Sequence, residues 1–334
     1  MKKGCLSIEL LVLYRMSTLL VIGGTGFFGK SILDCFRLGR LEKWGVERVI
    51  AMSRSAESLR KEAPQLITSG VELYAADITS ITTLPAADIV IHAAASTEAA
   101  RYISCPLQEQ QNIQAGIYNY CELAKIFHAK SRILYVSSGA VYGKQPAGMV
   151  HIPEEYLPSD IAELPDGKRD YAAAKLDAEA AVKNLGWQGL SVSIARCFAF
   201  AGPWLPRNQH FAIGNFIEDG LQGRTITVKA RKRVYRSYMY ADDLVDWMMT
   251  IAFHASPECP VYNVGSDQAV LMGDLARLVA NEFGVEACIP EITDADVDRY
   301  IPSTEKAKRE LGLTLRHDLL SAIRYTLHNI ETAK

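Results

Sequence analysis

A short apolar run, Leu19 to Ile22, leads straight into Gly23-Gly24-Thr25-Gly26-Phe27-Phe28-Gly29, and an amphipathic stretch from Lys30 to Leu38 follows. Strand, glycine turn and helix in that order leave a chain few options. Gly23 permits the tight turn, Gly26 lets the backbone approach a pyrophosphate, and Gly29 lets the helix lie close to the strand. The first N–H groups of the helix have no partner within it and carry the positive end of its dipole, which suits a phosphate. Thr25, Phe27 and Phe28 belong to the same turn and are placed with the glycines as nucleotide contacts.

The stretches that follow repeat the strand–helix alternation. Apolar runs at Arg48–Met52, Val71–Ala75, Ile89–Ala93, Ile133–Val136 and Leu190–Arg196 read as further strands. Between them, Gln108–His128 and Tyr171–Leu185 read as long helices. Such alternation means an α/β fold: a Rossmann-type, doubly wound parallel sheet, with ligands beyond the carboxyl ends of its strands. Past residue 197 the rhythm weakens into short strands (Thr225–Lys229, Tyr235–Met239) and helical stretches (Phe211–Leu221, Asp242–Phe253, Met272–Phe283, Thr304–Leu311, His317–Ile330). We therefore read residues 17–197 as mainly the nucleotide-binding Rossmann domain and 198–334 as mainly a smaller, mixed α/β C-terminal substrate lobe.

Residues 1–16 are a separate N-terminal extension. Its apolar stretch loosely imitates a signal peptide, but Glu9 interrupts it and no small-residue cleavage site follows. Met16 stands just before the first strand, so residues 1–15 read as an overcalled start or a loose extension. A net charge of −2 gives no pull toward nucleic acid or a membrane surface, and no apolar run is long enough to span a bilayer. The seven cysteines form no CxxC and no metal-ligand spacing, which reads as reduced thiols in a cytoplasmic protein without a metal.

The strand ends supply candidate cofactor contacts. An acidic residue after the second strand would hydrogen-bond the adenosine 2′-hydroxyl of NAD. Here Ser53-Arg54 stands instead, and a guanidinium favours a 2′-phosphate, hence NADP, with NAD as the alternative. Asp77-Ile78 closes the third strand, where a carboxylate would meet the adenine amine. Ala93-Ala94-Ala95 closes the fourth, and small residues there suit close approach of a cofactor; His92 beside them reads as a packing residue. Asn112 falls in the first turns of the helix after that strand.

Tyr171-Ala172-Ala173-Ala174-Lys175 carries the chemistry. Residues four apart on a helix share a face, so a phenol and an ammonium are stacked together. A neighbouring positive charge favours the phenolate and brings the tyrosine toward the range useful for proton transfer.

With Gly23–Gly29, Ser138 and Tyr171/Lys175 in this order, the chain resembles the extended short-chain dehydrogenase/reductase family, and within it the sugar-nucleotide epimerase/dehydratase/reductase branch. Ser137–Gly143 (SSxxVYG-like), Arg196–Pro203 (RxFxxxGP-like), Arg236-Ser237-Tyr238 and Lys306–Gly312 carry the same resemblance, which covers residues 17–330. It implies that Ser138 hydrogen-bonds the reacting oxygen of the substrate and that Tyr171 exchanges a proton with it. Lys175 would lower the pKa of the tyrosine and hold the nicotinamide ribose, and Cys197 joins the cofactor contacts. Gly139, His210, Asn215, Arg236 and Arg299 would line the nucleotide-sugar site, the two arginines approaching its phosphates. A homodimer through Gln108–His128 and Tyr171–Leu185 is implied as well.

Three departures narrow the reading. Gly139-Ala140 replaces the acid pair that the branch's 4,6-dehydratases place after the catalytic hydroxyl. Ala199 stands where many members carry asparagine, and no cysteine follows Ser138, as the branch's epimerase–reductases require. The expectation is an NADP-dependent reductase of a nucleotide-linked 4-keto-6-deoxysugar. The alternatives are an epimerase holding NAD tightly and a cofactor-sensing protein that keeps the fold without the chemistry.

Overall fold

In a computed structural model, residues 17–95, 105–157, 161, 164–209 and 211–332 are described; the N-terminal extension and His210 lie outside them. Strands β1 (Ser17–Ile22), β2 (Val46–Ser53), β3 (Val71–Ala75), β4 (Ile89–His92), β5 (Arg132–Ser138), β6 (Ser191–Cys197) and a later strand, Val261–Val264, form a seven-stranded sheet. All its neighbours are parallel, in the order Val261–Val264, β6, β5, β4, β1, β2, β3.

The apolar runs are continuous rather than alternating because both faces of this sheet are covered. Successive side chains point to opposite faces. Leu19, Val21, Val49, Ala51, Ile89 and Ile91 go to one side, where helix α1 (Phe27–Arg37) packs. Leu20, Ile22, Ile50, Met52 and Val90 go to the other, beneath the helices Pro106–Phe127 and Asp166–Trp187. With the short Leu59–Glu62 helix as α2, these are α3 and α4. The doubly wound α/β architecture expected from the sequence is therefore present. Helix starts differ from the reading: α1 begins at Phe27, inside the glycine motif, and α4 begins at Asp166, five residues before Tyr171.

Beyond β6 the chain makes β7 (Phe200–Ala201), α5 (Ala212–Leu221), β8 (Ile226–Thr227), β9 (Arg233–Arg236) and β10 (Met239–Tyr240). It then returns to the large sheet through α6 (Ala241–Phe253) and β11 (Val261–Val264), and leaves again. The remaining elements are β12 (Val270–Leu271), α7 (Met272–Phe283), β13 (Ala287–Cys288), β14 (Val297–Tyr300), α8 (Glu305–Leu311) and α9 (Leu319–Thr332).

Tyr235–Met239, read from sequence as one strand, is in fact split. Residues to Arg236 pair with β12 and β14, whereas Met239–Tyr240 pairs with β7. Ser237 and Tyr238, both buried, carry the chain from one sheet to the next. Sequence reading also missed β14, because Asp298 and Arg299 interrupt its apolar pattern. Among the described residues no helix is long and apolar enough to cross a membrane.

Candidate active site

The glycine turn is held by close backbone contacts. Gly23 has φ +99°, and a side-chain carbon there would lie 2.8 Å from the carbonyl of Ala93. The N–H groups of Gly23 and Gly24 both donate to Met52 O, at 2.8 and 3.0 Å. At Gly29 a Cβ would fall 2.4 Å from Gly24 O, so helix α1 lies directly on the turn that precedes it. Gly26 differs. It is exposed, and a Cβ there would approach nothing closer than Gly23 O at 3.4 Å. The protein does not itself require glycine at this point, whereas a pyrophosphate over the open N-terminus of α1 would. The turn therefore fits a dinucleotide. The rings of Phe27 and Phe28 pack against Phe200, with centroids at 6.0 and 5.7 Å.

Around this turn the strand ends line up. Thr25 Oγ1 donates to Ser53 Oγ at 3.2 Å, and Arg54 beside it is exposed. Ala93, whose N–H bonds Ile22 O at 2.8 Å, Ala94 and Ala95 are half-buried at the end of β4. Asp77 uses Oδ1 to accept from both the N–H and the hydroxyl of Thr79, at 2.9 Å each, so part of its carboxylate serves its own turn. The carbonyl of Ile78 accepts from Asn119 of α3 at 2.9 Å. Asn112, half-buried on α3, accepts from Gln108 at 3.2 Å. His92 is 2 % exposed, hydrogen-bonds nothing with either ring nitrogen, and is pushed by burial to a pKa of about 3. It packs 5.0 Å from the Tyr120 ring, in keeping with a structural role.

The end of β5 and the first half of α4 bring together Ser138, Tyr171 and Lys175, with Cys197 beside Ser138 in the sheet register. Ser138 lies close enough to Tyr171 to ease ionisation of its phenol, and its Oγ accepts the N–H of Ala140 at 3.2 Å. Lys175 is buried; its ammonium donates to Val136 O at 2.9 Å and to Tyr135 Oη at 3.2 Å. Nζ lies 5.9 Å from the centre of the Tyr171 ring. The expected lowering of the Tyr171 pKa by Lys175 is not found. Burial dominates and pushes the phenol up to about 12; Ser138 is the group that opposes this. Burial likewise pushes Lys175 down to about 8, and Cys197 is pushed up.

The small lobe places its predicted arginines less simply. Arg236 is already engaged, its two terminal nitrogens each 3.1 Å from an oxygen of Asp298. Arg299 stacks over Tyr235 at 4.2 Å, and its buried Nε has no hydrogen-bond partner. On α5, Asn215 donates to Gln209 O at 2.7 Å, leaving its buried Oδ1 unbonded. Gly139 sits where a Cβ would come 2.7 Å from both the Phe198 ring and the hydroxyl of Tyr300. His210, also predicted at the substrate, lies outside the described residues.

The profile of the NAD dependent epimerase/dehydratase family matches residues 19–265, which spans the glycine turn, Ser138, Tyr171 and Lys175. The chain belongs to this family. UDP-glucuronic acid decarboxylase 1 of Xenopus tropicalis is 26% identical over 314 residues, covering 93% of this chain and 71% of the relative. GDP-6-deoxy-D-mannose reductase of Pseudomonas aeruginosa is 28% identical over 206 residues, 60% of this chain and 64% of the relative. In fold, UDP-glucose 4-epimerase of Thermus thermophilus, solved in complex with NAD, superposes with a TM-score of 0.77 at 22% identity. The superposition covers 95% of this chain and all of that one, 100%.

Two polar groups of this epimerase/dehydratase family member escaped the sequence reading. Glu179 lies one further turn along the Tyr171–Lys175 face of α4, and the four-residue spacing was there to be read. It is 2 % exposed, holds Arg196 through two hydrogen bonds of 2.9 and 2.7 Å, and accepts from Ser137 at 2.7 Å. Tyr300 of β14 brings its hydroxyl beside Gly139, 2.7 Å from where a Cβ would stand. No local signal marks it, since the contact spans two lobes.

Proposed function

We propose that this protein moves a hydride at a ring carbon of a nucleotide-linked sugar, with NADPH-dependent reduction of a 4-keto-6-deoxysugar as its net reaction. The convergence of Ser138, at the carboxyl end of β5, with Tyr171 and the Lys175 ammonium 5.9 Å from its ring carries this reading. The residues immediately after Ser138 are Gly139 and Ala140, so no carboxylate stands there to assist elimination or loss of a carboxyl group. What remains is proton exchange with one oxygen. The exposed Arg54 supports NADPH through its fit to a 2′-phosphate.

The dinucleotide would lie over the glycine turn, Ser53–Arg54, Ala93–Ala95 and Lys175, and when bound it supplies the hydride. Ser138 would hold the keto oxygen of the sugar. Tyr171, pushed up to about 12, is protonated at neutral pH and would give its proton to that oxygen as the carbon is reduced. Ser138, the group that opposes the rise in the Tyr171 pKa, favours the phenolate left behind. Arg299 and Asn215, each with an unbonded buried atom, would take the nucleoside diphosphate and sugar. Pairing of two copies through α3 and α4, where Tyr118 and Ile126 are exposed, belongs to the same proposal and is checked by molecular mass in solution.

Supplying a panel of nucleotide-linked 4-keto-6-deoxyhexoses with NADPH, and NADH in parallel, tests the reaction. Loss of reduced-nicotinamide absorbance with one sugar, faster with NADPH, is expected. Isomers of ordinary nucleotide sugars appearing at constant absorbance would replace this reading by an epimerase.

A further inference from the structure

Glu179 is a carboxylate almost wholly shut off from water, and the proton transfer proposed above does not use it. Its two oxygens accept three hydrogen bonds. Oε1 takes the Ser137 hydroxyl at 2.7 Å and Arg196 Nε at 2.9 Å, and Oε2 takes Arg196 Nη2 at 2.7 Å. Ser137 and Arg196 stand opposite each other in the β5–β6 register, so one side chain of α4 grips two neighbouring strands near their carboxyl ends. The guanidinium reaches further. Its Nη1 donates to Tyr142 Oη at 2.9 Å and to Glu154 O at 3.2 Å, and Tyr142 donates to Asn263 of β11 at 2.8 Å.

We propose that Glu179 is a positioning residue of the reacting centre: paired with Arg196, it locks α4 against the end of β5 and so fixes Tyr171 and Lys175 relative to Ser138. This rests on the reading of those three residues as the proton-transfer group.

Three observations carry the assignment. Tyr171, Lys175 and Glu179 follow one another at intervals of four and share a face of α4. A slide or rotation that broke the bonds of Glu179 would carry the other two with it. Secondly, Ser138 is gripped from both sides. Glu179 holds Ser137 before it, and Arg196 holds Tyr142, which ends the turn Gly139–Tyr142 after it. Thirdly, apolar packing does little to set the register here. The buried apolar side chains of α4 between Tyr171 and Glu179 are Ala172, Ala174 and Ala178, and methyl groups make shallow ridges that resist sliding poorly. Lys175 also touches β5, but through the ammonium that the reaction itself uses. A buried ion pair adds little stability over apolar residues of the same volume; what it supplies here is a single register.

Replacing both partners together, Glu179→Leu with Arg196→Met, removes the lock without leaving a lone buried charge, so the fold is expected to survive with a similar melting temperature. Difluorotyrosine installed in place of Tyr171 in the full-length protein then reports on the site without substrate, because its phenolate absorbs at a pH where ordinary tyrosines are still protonated. Burial is what raises the Tyr171 pKa to about 12, so a helix free to shift admits water and should lower the midpoint of the probe by about one pH unit. Ser137→Ala, which cuts only the tie to β5, should lower it by less, and stands in if the double variant does not fold. An unmoved midpoint in the folded double variant, or in Ser137→Ala where that has to stand in, overturns the assignment. With a sugar that turns over, the double variant should lose roughly ten- to a hundred-fold in kcat at nearly constant KM, the scale of a misplacement of about 1 Å. An unchanged kcat would also overturn the role of Glu179. A lowered midpoint in a protein that reduces no sugar of the panel supports the lock and discards the reductase reading.

Discussion

Tyr171 and Lys175 stand four residues apart on one helix, whereas Arg236 and Asp298 are 62 residues apart and meet because β9 and β14 are neighbours in one sheet. At the carboxyl edge of the large sheet, the polar groups come from local devices: a glycine turn, a strand end, one face of α4. In the three-stranded sheet of the small lobe, charge meets charge only through strand pairing. A side chain in the first region can therefore change chemistry while the backbone stays as it is. In the second, the same groups hold the strands together, so a change of charge there also touches the fold.

The comparison is most exposed to Tyr171→Phe. Loss of the phenolic proton should lower turnover by roughly a hundred- to ten-thousand-fold, with the melting temperature nearly unchanged. Cofactor absorbance and thermal melting read the two halves of that statement, and a variant that keeps its activity would break the comparison outright.

Next in size is a pH effect at Lys175. Its pKa is lowered by burial from 10.5 to about 8, so between those values the folded protein holds fewer protons than the unfolded chain. Stability contributed at this residue therefore rises with pH across that window, and the cost is fully present below it. Relative to Lys175→Met, the wild type should gain up to roughly 3 kcal/mol on going up through the window. Chemical denaturation of both proteins at several pH values measures it, and a difference that stays flat would mean that the ammonium is well solvated.

Gly29→Ala should cost about 1–3 kcal/mol, because its methyl would meet the backbone oxygen of Gly24 rather than a movable side chain. A lower melting temperature with weaker dinucleotide binding is expected. An unchanged protein would show that α1 can slide off its turn.

The smallest effect belongs to the small lobe. Asp298→Asn loosens the hold on a half-exposed Arg236, an exchange worth about 1 kcal/mol or less. If the freed guanidinium reaches the diphosphate, KM for the nucleotide sugar falls a few-fold at constant kcat. An increase in KM would instead make the ion pair a structural tie between β9 and β14.

Much of the large sheet was legible because its signals are short-range. Apolar runs buried on both faces, a glycine motif at one strand end and a four-residue helical spacing all lie within single segments. The seventh strand, β11, was not read from its short run, and β14 was hidden by its own charged residues. The fate of Arg236 was invisible for a related reason: nothing near it in sequence announces Asp298.

The sequence by itself determined the doubly wound sheet, the glycine turn and the stacking of Tyr171 with Lys175 on one helix, since helical and strand periodicity settle which residues share a face; Ser138 was placed beside them only by resemblance to the family. Only the tertiary structure decided how these groups are poised. It turned the Lys175 ammonium toward β5, brought the Tyr300 hydroxyl beside Gly139, and closed Arg236 onto a carboxylate. Burial and distant strand pairing set each of these, and neither is written in the spacing of residues along a chain.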